Sequence, residues 1–487
     1  MCGIFGGHPE LVSGRSEELL RRRGPDQQGL ARLPLADGRE FVIGQTRLNV
    51  VCREDVPIPM EHEGAYISFN GEIYNWPELR HQLESLGHAF RTRTDTEVML
   101  HAFLEWGPSC LERLNGMFAV AIFHAGRLFL ARDRLGVKPL FYTHTSRGLA
   151  FSSELKCFRE LDFAEVPICQ QLEFYFDEHT PFRNVKSVRP GEYVLYEPAI
   201  DRFTRHRWWS FPEGGESQAD EASAVDEFLD LFTDACRIRS VADVPVTLFL
   251  SGGIDSSLIQ AVLQLDTTYT IQFAEFEETI NERDYVLEFA EQLGFEPRIV
   301  TPDRQQFLDS FPELARSIEF PVGSLSVFPL YALSRAAHED GYVVALSGEG
   351  ADELFTGYYR HELLLLEASR LQEELSGPYG TLCRRYFGSP VERFCRMASR
   401  HGPGGVPQLL EFFGPLWKEE QTFAQNLSRI EATVFLQPLL VMADRLSMRN
   451  SLEVRNPFLD YRLVEFSAGL PEHLRFRNGR GKWLLRR

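Results

Sequence analysis

The stretch that decides the fold class is LSGGIDSS, residues 250–257. It stands between a predicted strand over residues 246–250 and a predicted helix over residues 257–264. The glycines allow tight turns, and the serines and the helix N-terminus present donors to a phosphate. The stretch lacks the lysine of GxxxxGK[ST], so it is not the usual γ-phosphate loop. A Ser/Gly cradle that contains Asp255 suits pyrophosphate with Mg²⁺ and indicates adenylation; a Gly-rich β–α turn with a Ser cap is the less favoured alternative.

Strands and helices alternate around this stretch. Apolar runs predict further strands over residues 269–273, 297–300 and 342–346 and helices over residues 224–239 and 283–293. Such alternation is typical of a parallel sheet covered by helices on both faces. A second loop, SGEGADE at 347–353, follows one of these strands, so it should lie at the carboxyl edge where open α/β sheets bind ligands. Its carboxylates are candidate Mg²⁺ ligands, and Lys482 is a candidate phosphate contact.

The N-terminal part has a different pattern. Short apolar runs bounded by Gly, Asp and Asn predict strands up to about residue 198, and one helix is predicted over residues 76–86. The polar segment FPEGGESQ, residues 211–218, is typical of a linker. We therefore expect an α+β domain over residues 1–210 and an α/β domain over residues 219–487.

Bulk properties exclude several function classes. The chain has 487 residues, 51 Lys and Arg against 70 Asp and Glu, and a net charge of −19, which argues against nucleic-acid or anionic-membrane binding. The run Arg21–Arg23 is interpreted as a solvated helix end. No apolar stretch is long enough to span a bilayer, and no signal peptide is recognisable. The eight cysteines follow no disulfide or zinc spacing, which favours reduced thiols and a cytoplasmic location.

Cys2 is the candidate nucleophile of the N-terminal part. Removal of Met1 would leave Cys2 with a free α-amine that can act as the base for its own thiol. A thiolate that attacks a side-chain amide needs oxyanion donors, and NGEIYN at 70–75 offers the Asn70 amide and the Gly71 N–H. Arg47 and Asp95 could pair with the carboxylate and the ammonium of an amino acid. Taken singly, each has an ordinary alternative: an incidental cysteine, a turn asparagine, a surface arginine or a helix cap.

Together, these residues resemble the class II glutamine amidotransferase family of asparagine synthetases, nearly from end to end. The N-terminal motifs are MCGIFG at 1–6, RRGPD at 22–26, NGEIYN at 70–75, TDTEV at 94–98, GMFAVAIF at 116–123, RDRLGVKPLFY at 132–142 and SSELK at 152–156. The C-terminal motifs are SGGIDSS at 251–257, SGEGADELFTGY at 347–358, DRLSM at 444–448 and SLEVRNPFLD at 451–460. The N-terminal motifs also fit glutamine phosphoribosyl-pyrophosphate amidotransferases, which the SGGIDSS half excludes.

The resemblance implies a four-layer αββα glutaminase domain of the Ntn type and an ATP-pyrophosphatase domain. It implies that Cys2 is the nucleophile, that Asn70 and Gly71 form the oxyanion hole, and that glutamine is held by Arg47, Asn70, Glu72 and Asp95. ATP and the acyl-adenylate would bind at Leu250, Ser251, Gly252, Asp255, Ser256, Ile271, Ser347, Gly348 and Glu349. Mg²⁺ with pyrophosphate would bind at Asp255 and Asp352, and Lys482 would serve the later chemical step. Ammonia would travel through an internal tunnel.

The sequence departs from the family at three places. GQTRLNV replaces the more usual GHxRLSI around Arg47. The acceptor-side helices after Tyr358 diverge, and Asn456 stands there where valine is common. Last, the chain stops at Arg487, soon after Lys482.

Three functions therefore remain open: amidation of aspartate to asparagine, the same chemistry on another carboxylate such as a sugar acid or a secondary metabolite, and a non-synthetic glutaminase or partner module. The intact Cys2, Asp255 and Glu349 argue against the last. A homodimer is a further expectation.

Overall fold

The computed structural model describes residues 2–273, 282–324, 326–376, 388–400 and 402–487. Strands β1 to β12 lie in the N-terminal part, in chain order: Cys2–Gly7, Gln27–Pro34, Glu40–Arg47, Met60–His62, Ala65–Ile73, Gly116–His124, Arg127–Arg132, Phe141–Thr145, Gly148–Ser152, Lys186–Ser187, Glu192–Glu197 and Arg202–Arg207. The α-helices of this part are Ser16–Leu20, Trp76–Ser85, Asp95–Trp106, Cys110–Arg113 and Pro167–Leu172.

These strands form two antiparallel sheets of six strands each. Their orders are β10-β8-β9-β1-β3-β2 and β12-β11-β7-β6-β5-β4. Side chains from the facing sides of both sheets share one buried cluster that includes Ile4, Ile43 and Leu130. Helices Trp76–Ser85 and Asp95–Trp106 cover the outer face of the second sheet, and helix Ser16–Leu20 packs on the outer face of the first. The result is the αββα sandwich that the resemblance implies.

The C-terminal part contains strands β13 to β17, which are Val246–Phe249, Thr267–Ile271, Glu296–Val300, Val344–Leu346 and Glu453–Arg455. They form one parallel sheet in the order β15-β14-β13-β16-β17. The α-helices are Glu221–Ser240, Ile254–Leu263, Arg283–Leu293, Arg304–Ile318, Val327–Glu339, Ala351–Leu354, Tyr359–Ser376, Pro390–Ala398, Val406–Phe413, Phe423–Ile430, Leu436–Arg449, Tyr461–Gly469 and Glu472–Arg475.

Helices cover both faces of this sheet. Helix Glu221–Ser240 packs on one face through Phe228 and Phe232, and helix Val327–Glu339 packs on the other through Leu333 and Ala337. The expected fold classes are therefore confirmed for both parts of the chain. Residues 208–220 between them have no regular secondary structure. No helix within the described ranges is long and apolar enough to cross a membrane.

The two parts meet across a buried, charged interface. Arg23 is 1% exposed and forms a bidentate pair with Asp444 of helix Leu436–Arg449, at 2.7 and 3.0 Å. Asp460 accepts a hydrogen bond from Asn115 of the N-terminal part at 2.9 Å, and within the C-terminal part it pairs with Arg239 at 2.7 Å. The interpretation of Arg21–Arg23 as a solvated helix end is therefore wrong for Arg23, because a carboxylate from the other domain compensates its burial.

Candidate active sites

Cys2 begins β1 and is 7% exposed, with three contacts that fix its backbone and thiol. Its backbone nitrogen donates to Asn70 Oδ1 at 3.1 Å, and its carbonyl oxygen accepts from Arg23 Nε at 3.1 Å. Gln45 Nε2 lies 3.3 Å from Sγ. Gln45 stands in GQTRLNV at the position where the usual GHxRLSI pattern has histidine, so an amide contacts the thiol here in place of an imidazole.

Asn70 and Gly71 lie on β5 beside Cys2. Asn70 is fully buried, and its Nδ2 has no hydrogen-bond partner among the described residues. Leaving a buried donor unpaired costs about 1–3 kcal/mol, so an oxyanion at this position would relieve a real penalty. At Gly71 a Cβ atom would lie 2.1 Å from the Met117 carbonyl oxygen, so a larger residue would push the strands apart.

Arg47, Glu72 and Asp95 surround the same region with opposite charges. Arg47 pairs with Cys2 in the β1–β3 register and donates to Gln27 Oε1 and to main-chain carbonyls, the shortest at 2.6 Å to Cys52. None of the ion pairs in the described part of the chain involves Arg47, so this buried guanidinium has neutral partners and can accept a carboxylate.

Glu72 and Asp95 are buried carboxylates with raised pKa values. Burial, followed by repulsion from Asp95, raises the pKa of Glu72 well above its usual range. Burial also raises the pKa of Asp95 to about 6, although it accepts a hydrogen bond from the Ile73 N–H at 3.0 Å. An ammonium group placed between the two carboxylates would restore their ionised forms.

Arg455 joins this region to the second candidate site. Its Nη2 lies 3.3 Å from Glu72 Oε2, its Nε pairs with Glu453 at 2.6 Å, and its carbonyl oxygen accepts from the Ser347 N–H at 3.0 Å. One residue of β17 therefore contacts a candidate glutamine ligand with its side chain and the SGEGADE loop with its backbone.

The two loops of the C-terminal part lie side by side because β13 and β16 are adjacent and parallel. Ser256 Oγ accepts from the Ser251 N–H at 3.1 Å, which closes the SGGIDSS turn, and Gly252 has φ +78°, a value that favours glycine. At Gly348 a Cβ atom would lie 2.9 Å from Asp255 Cβ, so the loops touch. Leu250 directly follows β13, and Ile271 ends β14.

Lys482 lies between the two aspartates of these loops. Its Nζ is 2.6 Å from Asp255 Oδ2 and 2.6 Å from Asp352 Oδ1. Burial opposes the charge, but both aspartates together raise the pKa of Lys482 above its usual value. Burial raises the pKa of Asp255 to about 6 despite the attraction of Lys482. The sequence-predicted phosphate contact and both predicted metal ligands thus converge on one point.

Glu349 supplies an ionisable group on the same loop. It is half-buried, its buried Oε2 atom has no hydrogen-bond partner among the described residues, and desolvation together with Glu353 raises its pKa to about 8. The pKa of Glu353 is likewise raised to about 7 by burial. A carboxyl group that titrates near neutral pH is suited to proton transfer.

A divalent cation fits this site as part of a larger ligand set. Within the described ranges, no three or more His, Cys, Asp or Glu side chains are grouped to hold a metal. Asp255 and Asp352 provide two carboxylates, and Asp255 Oδ1 is buried with no hydrogen-bond partner among the residues that the structure describes. Mg²⁺ commonly takes one or two protein carboxylates and completes its shell with phosphate oxygens and water.

Together, the two folds define the class of protein: an Ntn-type glutamine amidotransferase domain is followed by an ATP-pyrophosphatase domain. Residues 1–209 match the glutamine amidotransferase domain family, and residues 227–487 match the asparagine synthase family. The chain belongs to the family of glutamine-hydrolysing asparagine synthetases, as its motifs predict, and it is a ligase.

Two named relatives match this chain over nearly its whole length, and a solved structure matches part of it. Asparagine synthetase [glutamine-hydrolyzing] 1 of Bacillus subtilis is 31% identical over 542 residues, covering 100% of this chain and 84% of that protein. Amidase chry2 of Gibberella zeae is 29% identical, covering 98% of this chain and 84% of its own. A solved glutamine phosphoribosylpyrophosphate amidotransferase from B. subtilis covers 72% of this chain and 77% of its own at 14% identity, with a TM-score of 0.31.

The structure brings the predicted residues together in two groups, one around Cys2 and one around Lys482. Sequence reasoning missed Gln45, Arg23 and Arg455, which contact the thiol, the Cys2 carbonyl and Glu72. A signal existed for Gln45, which precedes Arg47 by two residues and lies on the same face of β3. No local signal existed for Arg23 or Arg455, because the ion-pair partners that bury them, Asp444 and Glu72, lie hundreds of residues away along the chain.

Proposed function

We propose that the protein transfers the amide nitrogen of glutamine to L-aspartate, through an aspartyl-adenylate, and releases L-asparagine, glutamate, AMP and pyrophosphate. The observation that carries this proposal is the buried Nδ2 of Asn70 beside the Cys2 backbone, which has no hydrogen-bond partner in the described part of the chain. This donor lies at a candidate nucleophile in a chain that also carries an adenylation-type loop.

In the first half-reaction, the Cys2 thiolate attacks the side-chain amide of glutamine. Asn70 Nδ2 and the Gly71 N–H stabilise the oxyanion, since preorganised donors act where charge develops. Arg47 pairs with the α-carboxylate, while Glu72 and Asp95 pair with the α-ammonium. Ammonia leaves, and water hydrolyses the thioester to glutamate.

In the second half-reaction, the acceptor carboxylate attacks the α-phosphorus of ATP at the SGGIDSS loop, and pyrophosphate leaves. Asp255 and Asp352 would hold Mg²⁺, which would neutralise part of the phosphate charge. Lys482 would donate to phosphate oxygens once Asp255 and Asp352 bind the cation instead of the Lys482 ammonium. Ammonia then attacks the acyl carbon, AMP leaves, and Glu349 takes or gives the proton.

A specific observation favours a second acceptor class. A cavity of about 660 Å³ lies next to the SGEGADE loop, and its walls include Tyr358, Arg360, Phe394 and Phe435. Tyr358 reaches back to that loop, because its hydroxyl donates to Glu353. Cavities of roughly 300–1,000 Å³ hold drug-sized ligands, so a larger carboxylate with an apolar body is the alternative acceptor.

The test is acceptor-dependent pyrophosphate release from the full chain with ATP, Mg²⁺ and glutamine, across a panel of carboxylates. We expect release and asparagine formation with aspartate. Release only with a larger carboxylate would support the second acceptor class, and glutaminase activity without acceptor-dependent release would support a non-synthetic role.

The cellular setting is part of the same proposal. The described cysteines are all free and buried, which supports a reducing compartment such as the cytoplasm. We also propose a homodimer without nucleic-acid partners, to be checked by sedimentation.

A further inference from the structure

An interface cavity of about 990 Å³ lies between the two domains. The segment after helix Ser16–Leu20 forms one wall, and helices Arg304–Ile318 and Leu436–Arg449 form the other. Among the described residues, none that we assign to the two catalytic sites lines this cavity. The cavity is therefore a separate space, although Arg23 lies in its wall.

The walls of the interface cavity carry more positive than negative charge. Every carboxylate in the wall already has a cation: Glu18 pairs with Arg15, Glu313 with Arg449, Glu319 with Arg445, and Glu154 with Arg23, Lys156 and Arg445. Arg21, Arg22 and Arg316 also line the cavity, and none of the ion pairs found in the described ranges includes them. Three uncompensated guanidinium groups thus face one space in a chain of net charge −19.

The second observation is Arg445, whose side chain is fully buried at the cavity wall. Its Nη atoms lie 3.1 Å from Glu154 and 2.8 Å from Glu319, so its charge is neutralised. However, Nε, Nη1 and Nη2 all lack a well-directed hydrogen bond within the described structure. Nη1 and Nη2 therefore have carboxylate oxygens within reach at poor angles, and Nε has no acceptor among the described residues, so the buried guanidinium is incompletely satisfied.

We propose that the interface cavity is a binding site for a small anionic molecule that carries a phosphate group. Guanidinium forks match the oxygens of a tetrahedral oxyanion, and several forks around one space recognise phosphate better than a point charge would. The cavity is larger than an inorganic ion, so it has room for the organic part of such a molecule. The backbone of Arg22 is held in place by Ser451 Oγ of the other domain at 2.7 Å, so the ligand would contact both domains.

The probe is inorganic phosphate, titrated by calorimetry into the full chain at low and high KCl, with acetate as the comparison anion. The test variant is the double substitution Arg22→Gln/Arg316→Gln, with Arg316→Glu as a second variant. Arg304→Gln is the matched control, because Arg304 is exposed on the same helix as Arg316 and does not line the cavity. All substituted side chains are exposed, and thermal unfolding verifies that each variant folds.

We expect the double variant to weaken phosphate binding at least about tenfold, since charge-assisted hydrogen bonds are lost, while Arg304→Gln binds as the wild type does. Added KCl should weaken the wild-type affinity, and acetate should bind more weakly than phosphate. Equal phosphate affinity and stoichiometry in wild type and double variant would overturn the proposal and assign the signal to the SGGIDSS loop. Absence of binding in a dimer whose second copy covers the cavity would also overturn it.

Discussion

Replacing Asn70 with aspartate isolates the oxyanion donor that the proposed glutamine reaction requires. Asn70→Asp preserves the shape of the side chain and leaves an oxygen to accept from the Cys2 nitrogen, now at 3.1 Å. It removes the Nδ2 donor, which has no other partner within the described structure, and places a negative charge where the oxyanion would form. The variant therefore changes the chemistry more than the packing.

The expected magnitude follows from the loss of one oxyanion donor, which costs about 10²–10³ in kcat, or about 3–4 kcal/mol of transition-state stabilisation. The assay measures glutamate release from glutamine and, separately, synthesis with ammonium chloride in place of glutamine. We expect glutamine-dependent turnover to fall by at least this factor, because the added charge also repels the oxyanion, and ammonium-dependent synthesis to remain within about twofold.

The matched control is Asn75→Ala. Asn75 donates to the Arg113 carbonyl at 2.9 Å and accepts from the Asn115 N–H at 2.8 Å. Both ends of its amide therefore make hydrogen bonds that hold the local structure. A stability loss without a change in glutaminase kcat is expected there. Wild-type glutaminase turnover in Asn70→Asp, or an equal loss of both activities, would refute the assignment of Asn70 as the oxyanion donor.

Three further predictions concern the second site and the interface. Gly357→Ala should abolish acceptor-dependent pyrophosphate release but spare glutaminase activity, because its Cβ would lie 1.9 Å from Lys482 Cε; retained release would refute this positioning. In the folded protein Glu349 has a pKa of about 8, so it keeps a proton that it loses in the unfolded chain, where its pKa is the ordinary 4.5. As the pH rises from 4.5 to 8, the free energy of unfolding of the wild type should therefore fall by up to several kcal/mol relative to that of Glu349→Gln, as measured by urea unfolding. The same pH dependence of unfolding in both proteins would contradict this. Arg455→Met should cost about 3–5 kcal/mol by urea unfolding because it removes the cation that pairs with buried Glu453 at 2.6 Å, whereas Arg477→Met, at an exposed pair, should cost less than about 1 kcal/mol.

The sequence predicted the folds well because the relevant signals are local. Alternating strands and helices around LSGGIDSS specify a parallel sheet, and the structure places β13 and β16 side by side, with their loops in contact. Strand and helix ends differed by two or three residues, as for β14, predicted over 269–273 and found at Thr267–Ile271. Such shifts arise because pairing with neighbouring strands sets the ends.

The contacts between domains could not be predicted from the sequence. Arg23 reads locally as part of a basic run, yet it is buried because Asp444, far along the chain, faces it. Lys482 was predicted as a phosphate contact, but its simultaneous approach to Asp255 and Asp352 depends on the close packing at Gly357. These features depend on tertiary packing rather than on local pattern.

The most direct test of the central claim follows the nitrogen itself. The full chain is given ATP, Mg²⁺, aspartate and glutamine labelled with ¹⁵N at the side-chain amide, and products are resolved by mass spectrometry. We predict ¹⁵N-asparagine with equimolar AMP and pyrophosphate in the wild type, none in Cys2→Ala, and restored labelling in Cys2→Ala given ¹⁵N-ammonium. Unlabelled asparagine, or labelled asparagine from glutamine in Cys2→Ala, would contradict the account.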